Sequence, residues 1–136
     1  MSALNAFFKK NRKKDEKIEY IVSEDFKEKD GTIRPFILRK LKGSEILKIQ
    51  NAAAETDADG NQTTNAEIFT TSIIVACVED PDLLNKDLQD SYEVTTPHKL
   101  IDEMLSGGEF LQLSKKCMEI NGLTKTVKDL TDEAKN

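Results

Sequence analysis

Twice between residues 17 and 41 the apolar side chains recur at every second position, and the turn dipeptide Asp30-Gly31 lies between the two runs. In the first run (17–23, KIEYIVS) the repeating residues are Ile18, Tyr20 and Val22; in the second (33–41, IRPFILRKL) they are Phe36 and Leu38. A period of two marks strands with one buried face, so the pair predicts a β-hairpin with a loop over residues 25–31. Pro35 has no N–H for a ladder, so the second strand has an open edge or begins near the proline. An isolated hairpin is barely stable in water, and the rest of the chain must cover one of its faces.

Beyond residue 41 the apolar pattern becomes helical in period. Gly43-Ser44 before EILKIQNAAAE predicts a helix with Ser44 as N-cap, and residues 55–64 (ETDADGNQTT) read as a polar loop. Segment 65–78 carries two signals: its β-branched residues favour a strand, while Ala66, Phe69, Ile73 and Ala76 share a helical stripe. Its length decides for a buried helix. Asp80-Pro81 predicts a further helix start, with Leu84 and Leu88 as the buried pair, and Thr96-Pro97 repeats that signal before Leu100, Ile101, Met104 and Leu105. Gly107-Gly108 breaks the chain, and Phe110, Leu113, Cys117 and Ile120 form a last stripe closed by Asn121-Gly122. The expected fold is α+β, an N-terminal β-hairpin covered by four or five short, mostly C-terminal helices. At 136 residues it is expected as a single domain, 1–136. Residues 1–16 form a basic N-terminal arm, 17–122 the globular core, and 123–136 a weak helical tail through Val127, Leu130 and Ala134. On the arm, a short helix over 3–13 sets Leu4, Phe7 and Phe8 on one side.

Charge divides the chain in the same way. Residues 1–17 carry a net charge of +4, and the other 119 carry −9. A basic arm on an acidic body fits an acidic partner or the body itself better than nucleic acid, which needs a basic face. No apolar run approaches the length of a membrane span. Phe7 and Phe8 precede the basic run, the reverse of a secretory signal, so the expected location is cytoplasmic. Cys77 and Cys117 lack CxxC spacing and read as small core residues of a reducing compartment.

The chemistry tested finds no residue to carry it. His98, the only histidine, lies beside Lys99 and off the apolar stripe, with no nucleophile pattern pointing to it. One histidine and two cysteines forty residues apart do not make a zinc site. The loop Glu55-x-Asp57-x-Asp59-Gly60 begins like a calcium loop, but Ala66 stands where the bidentate glutamate belongs. Gly107-Gly108 lacks the strand and the Lys-Ser/Thr of a phosphate loop. No catalytic residue, cofactor or metal is expected, and the protein reads as a binding protein and not as an enzyme.

Several stretches together resemble the XkdN-like tail assembly chaperones of phages and prophages that infect Gram-positive bacteria. They are ALNAFFKKN, IEYIVSEDFKEKDGTIRPFILRKL, ACVEDPDLLNKDLQDSYEV (76–94), and KLIDEMLSGGEFLQL with EINGL after Pro97. The stretch AAAETDADGNQTTN is less basic than its counterpart in the family. The resemblance implies a non-enzymatic protein that binds the long, helical tape measure protein and keeps it soluble during tail tube assembly, with the tail tube protein as a further partner. Leu4, Phe7 and Phe8 are the expected partner-binding side chains, because a terminal arm is the part least absorbed by the core; the alternative is that they pack back onto the hairpin. Leu88 and Tyr92, one helical turn apart, are expected to make an internal contact. Two other classes remain open: a structural tail component such as a connector or completion protein, and a small regulator using the basic arm on nucleic acid.

Overall fold

The computed structural model describes residues 4–14 and 16–123. Along the chain run β1 (Ile18–Tyr20), β2 (Phe36–Leu38), α1 (Gly43–Ala52), β3 (Ala54–Thr56) and β4 (Gln62–Thr64). After them come α2 (Ala66–Cys77), β5 (Val78–Asp80), α3 (Lys86–Ser91), α4 (Pro97–Met104) and α5 (Gly107–Ile120). The fold is α+β as expected, with four of the five strands in the N-terminal half and the helices mostly C-terminal. The tail helix expected through Val127, Leu130 and Ala134 lies outside the described residues.

The expected hairpin forms. β1 and β2 pair antiparallel, with Ile18 opposite Leu38 and Tyr20 opposite Phe36, which puts the alternating apolar residues on one face. At its loop the Asp30 carboxylate accepts the Thr32 N–H at 2.9 Å, and Gly31 takes a φ of +89°, a region open to glycine at little cost. Of the two placements that Pro35 allows, the strand takes the second and begins at the next residue. It is not an edge strand. β5 pairs antiparallel along its other side, giving the sheet order β1-β2-β5.

β5 corrects the expected helix start at Asp80-Pro81. Asp80 pairs through its backbone with Ile37 in the sheet, and its carboxylate is held by the Arg34 guanidinium at 2.9 and 3.0 Å. Neither group is left to start a helix. The next helix instead begins after Asn85, whose side chain accepts the Leu88 N–H at 2.9 Å. The shift exchanges the leucines: Leu83 is buried and Leu84 is exposed, contrary to the expected Leu84–Leu88 pair. The buried Gln89 side chain donates to the Leu83 carbonyl at 2.8 Å, which satisfies a polar group inside the core.

α2 is the centre of the helical layer and packs on α1, α4 and α5. Its Ile73, Ile74 and Cys77 are fully buried, joining Leu38 of the sheet, Leu100 and Ile101 of α4, and Leu113 and Cys117 of α5. A segment packed on three sides needs apolar residues all round, so its β-branched content answers to burial and not to strand pairing. Asn65 caps its start by accepting the Ile68 N–H at 3.0 Å. Thr96 caps α4 and Ser106 caps α5 in the same manner, and α5 ends at Asn121 with Gly122 at a φ of +69°. Gly107 and Gly108 are therefore the first residues of α5, and the break falls just before them.

Three further expectations need correction. α1 starts one residue ahead of Ser44, because the Glu45 carboxylate accepts the Lys42 N–H at 3.0 Å and supplies the cap from inside the helix. Residues 54–64 are not a loop but the exposed hairpin β3–β4, with Asp57 accepting the N–H groups of Asp59 and Asn61 at its turn. The helix expected over 3–13 is replaced by two 3-10 turns, Asn5–Phe7 and Lys9–Asn11, separated by an extended Phe8. A short helix with no packed face gains too little to form.

Candidate partner-binding surface

The side chains singled out for chemistry are engaged in holding structure. The exposed His98 lies with its Nε2 3.0 Å from the Ser72 hydroxyl. In the acidic turn Glu55 accepts from the Asn65 amide at 2.8 Å, and Asp57 holds backbone N–H groups, so both carboxylates serve the hairpin. Among the described residues no three His, Cys, Asp or Glu side chains are grouped to hold a metal ion. Cys77 and Cys117 are buried, free thiols. Their hydrogen bond to each other, together with burial, holds the Cys117 thiol well above its ordinary range. Asn121 ties the ends of three elements together. It accepts the Leu41 N–H at 2.7 Å and donates to the Cys117 carbonyl at 2.8 Å and to Cys77 Sγ at 3.1 Å.

The three arm residues are on the surface. Leu4 is 61%, Phe7 82% and Phe8 49% exposed, and the basic side chains of Lys9, Lys10, Arg12, Lys13 and Lys14 are exposed after them. The arm is thus a short apolar knob followed at once by positive charge. Arg12, Lys13, Lys14 and Glu16 lie beside Ile18 and Lys40, at the end of the sheet where β1 begins.

At the opposite end of the sheet a groove of about 430 Å³ opens between the hairpin, the start of α3 and the end of α4. Its apolar walls come from Phe26, Pro35, Phe36, Leu88, Tyr92 and Met104. Phe26 and Phe36 stack with ring centres 5.8 Å apart. The rim is ionic: Arg34 bridges Asp80 at 2.9 Å and Glu28 at 3.3 Å, and Asp82 stands beside them. Leu88 and Tyr92 pack against the core as expected, and they also line this groove. The size and the balance of apolar walls with a few polar groups are those of a binding pocket. Sequence reasoning missed it because its residues come from three separate stretches. Each of those stretches is among the ones on which the family resemblance rests. A second, wider hollow of about 580 Å³ lies between α2, α4 and the start of α5, with the exposed Ile68 and Leu111 on its walls.

The model of the phage XkdN-like tail assembly chaperone family matches residues 4–135. Among curated proteins, the phage-like element PBSX protein XkdN of Bacillus subtilis (strain 168) is 30% identical over 126 residues, covering 89% of this chain and 85% of that protein. YqbN of the same strain, an uncharacterized protein, is 28% identical over the same shares. A crystal structure of the protein YqbN superposes with a TM-score of 0.76 at 24% identity, covering 90% of this chain and 98% of the other. That likeness establishes the fold.

Proposed function

This chain belongs to the phage XkdN-like tail assembly chaperone family, and from that premise we propose that it binds the tape measure protein and keeps it soluble while the tail tube assembles. It acts in the host cytoplasm, without catalysis, and the tail tube protein is a second partner. The contact is made by Leu4, Phe7 and Phe8.

The observation that supports this reading most is the exposure of Phe7 and Phe8 on an arm whose own body leaves them in water. Large aromatic side chains held at the surface mark contact sites. A long helical protein waiting for its tube exposes apolar faces of its own, and such faces are covered by apolar side chains from a partner. The acidic body, with a net charge of −9 over residues 18–136, then faces solvent and keeps the loaded complex apart from others.

Co-expression with the tape measure protein of the same phage or prophage tests the reading. The expected result is a soluble complex with several copies of this chain on one tape measure chain, stable in moderate salt because apolar contacts dominate. A tape measure protein that stays insoluble, while this chain is found in finished tails, replaces the chaperone by a structural tail component.

A further inference from the structure

We propose that the arm of one copy seats in the sheet-end groove of a second copy, so that two chains exchange arms in a reciprocal dimer. The two surfaces match in shape class and in charge. Phe7 and Phe8 are exposed aromatic side chains, and the groove offers Phe26, Phe36, Tyr92 and Met104 as partners for stacking and for sulfur–aromatic contact. Lys9 and Lys10 follow the two phenylalanines directly. At the groove's rim the three acids Glu28, Asp80 and Asp82 outnumber the two cations Lys27 and Arg34, with Arg34 paired to Glu28 and Asp80, and Asp82 left beside them. The +4 of residues 1–17 and the −9 of the remainder make the same match at the scale of the whole chain.

The path of the arm selects a second copy over its own. Ile18, where the arm joins the sheet, pairs with Leu38, whereas the groove opens beyond the Tyr20–Phe36 pair at the other end. Arg12, Lys13, Lys14 and Glu16 gather with Lys40 at the Ile18–Leu38 end and not at the groove. Reciprocal exchange closes on a two-fold axis and leaves no arm unseated, which is how such contacts avoid growing into fibres. The exchange covers Phe7 and Phe8 while no tail protein is present. It is a property of the chain alone and does not depend on the identity of any tail partner.

The purified full chain tests this without a partner. Sedimentation equilibrium is expected to show a monomer–dimer equilibrium, weakened about 30-fold or more by Phe7→Ser with Phe8→Ser, the scale of losing one aromatic anchor. A synthetic peptide of residues 1–16, added to the ¹⁵N-labelled double variant, is expected to shift the amide signals of Phe26, Phe36, Tyr92 and Met104; the same peptide carrying both serines is not. A full chain that stays monomeric at every concentration overturns the exchange, even if the peptide binds, since the arm then seats in its own copy or nowhere. A dimer that survives the double substitution, or peptide shifts centred on Ile68 and Leu111 at the other hollow, overturns it as well.

Discussion

Glu45 is held by two separate groups. Arg39 donates to its carboxylate at 2.6 and 3.2 Å, and the Lys42 N–H donates to it at 3.0 Å. The Arg39 hydrogen bonds, with help from the Lys42 N–H, hold the Glu45 carboxyl down to about 2. Because the folded value lies below the unfolded one, this contribution is fully present above about pH 4.5 and is lost as pH falls towards 2. Glu45→Gln should cost about 1 kcal/mol at pH 7, after allowance for solvent screening, and the gap to the parent should close near pH 2 in paired denaturation curves. Asn121 is the other residue whose loss should be out of proportion to its size. Asn121→Ala leaves the half-buried Leu41 N–H without its side-chain acceptor and should cost about 2 kcal/mol by urea denaturation. Asn121→Asp keeps that acceptor, and a smaller loss is expected. The sequence marked Asn121-Gly122 as a helix end; that its side chain also reaches Leu41, 80 positions earlier, has no local signature.

At the scale of elements, sequence pattern succeeded where the local signals had no distant group competing with them. The Thr96-Pro97 start, the β1–β2 hairpin and the helix within 65–78 all follow from period, length and capping residues. It failed where a distant group competed for the same residue. Asp80 is a good helix-starting acid until Arg34, 46 positions away, takes its carboxylate and β2 takes its backbone. The β3–β4 hairpin was missed for a different reason: all six of its strand residues are exposed, so no apolar alternation marks it. The sequence singled out the arm side chains, whose partner contact is a proposal, but carried no sign of the groove, because a groove is a property of packed elements. Two substitutions should separate these elements by their weight in the fold. Ile73→Ala, in fully buried α2, should cost about 2–5 kcal/mol. Gly60→Val, at a φ of +83° in the exposed hairpin, should loosen that turn locally while changing global stability by less than about 1 kcal/mol. Hydrogen exchange would read both effects, with fast amides confined to 54–64 in the second variant.

For the whole molecule, a positive arm with exposed aromatics stands on a negatively charged body, and the proposed function assigns capture to the first and solubility to the second. The body's core draws on the sheet, α2, α4 and α5, and none of the described arm residues belongs to it. Changing the arm should therefore leave the fold intact, and this separates a contact role from a structural one. The most direct measurement is capture of co-expressed tape measure protein by the chain with Leu4, Phe7 and Phe8 all changed to Ser, read together with that variant's own Tm. Capture several-fold weaker with a nearly unchanged Tm is the predicted result. Undiminished capture by a stably folded triple variant would contradict it.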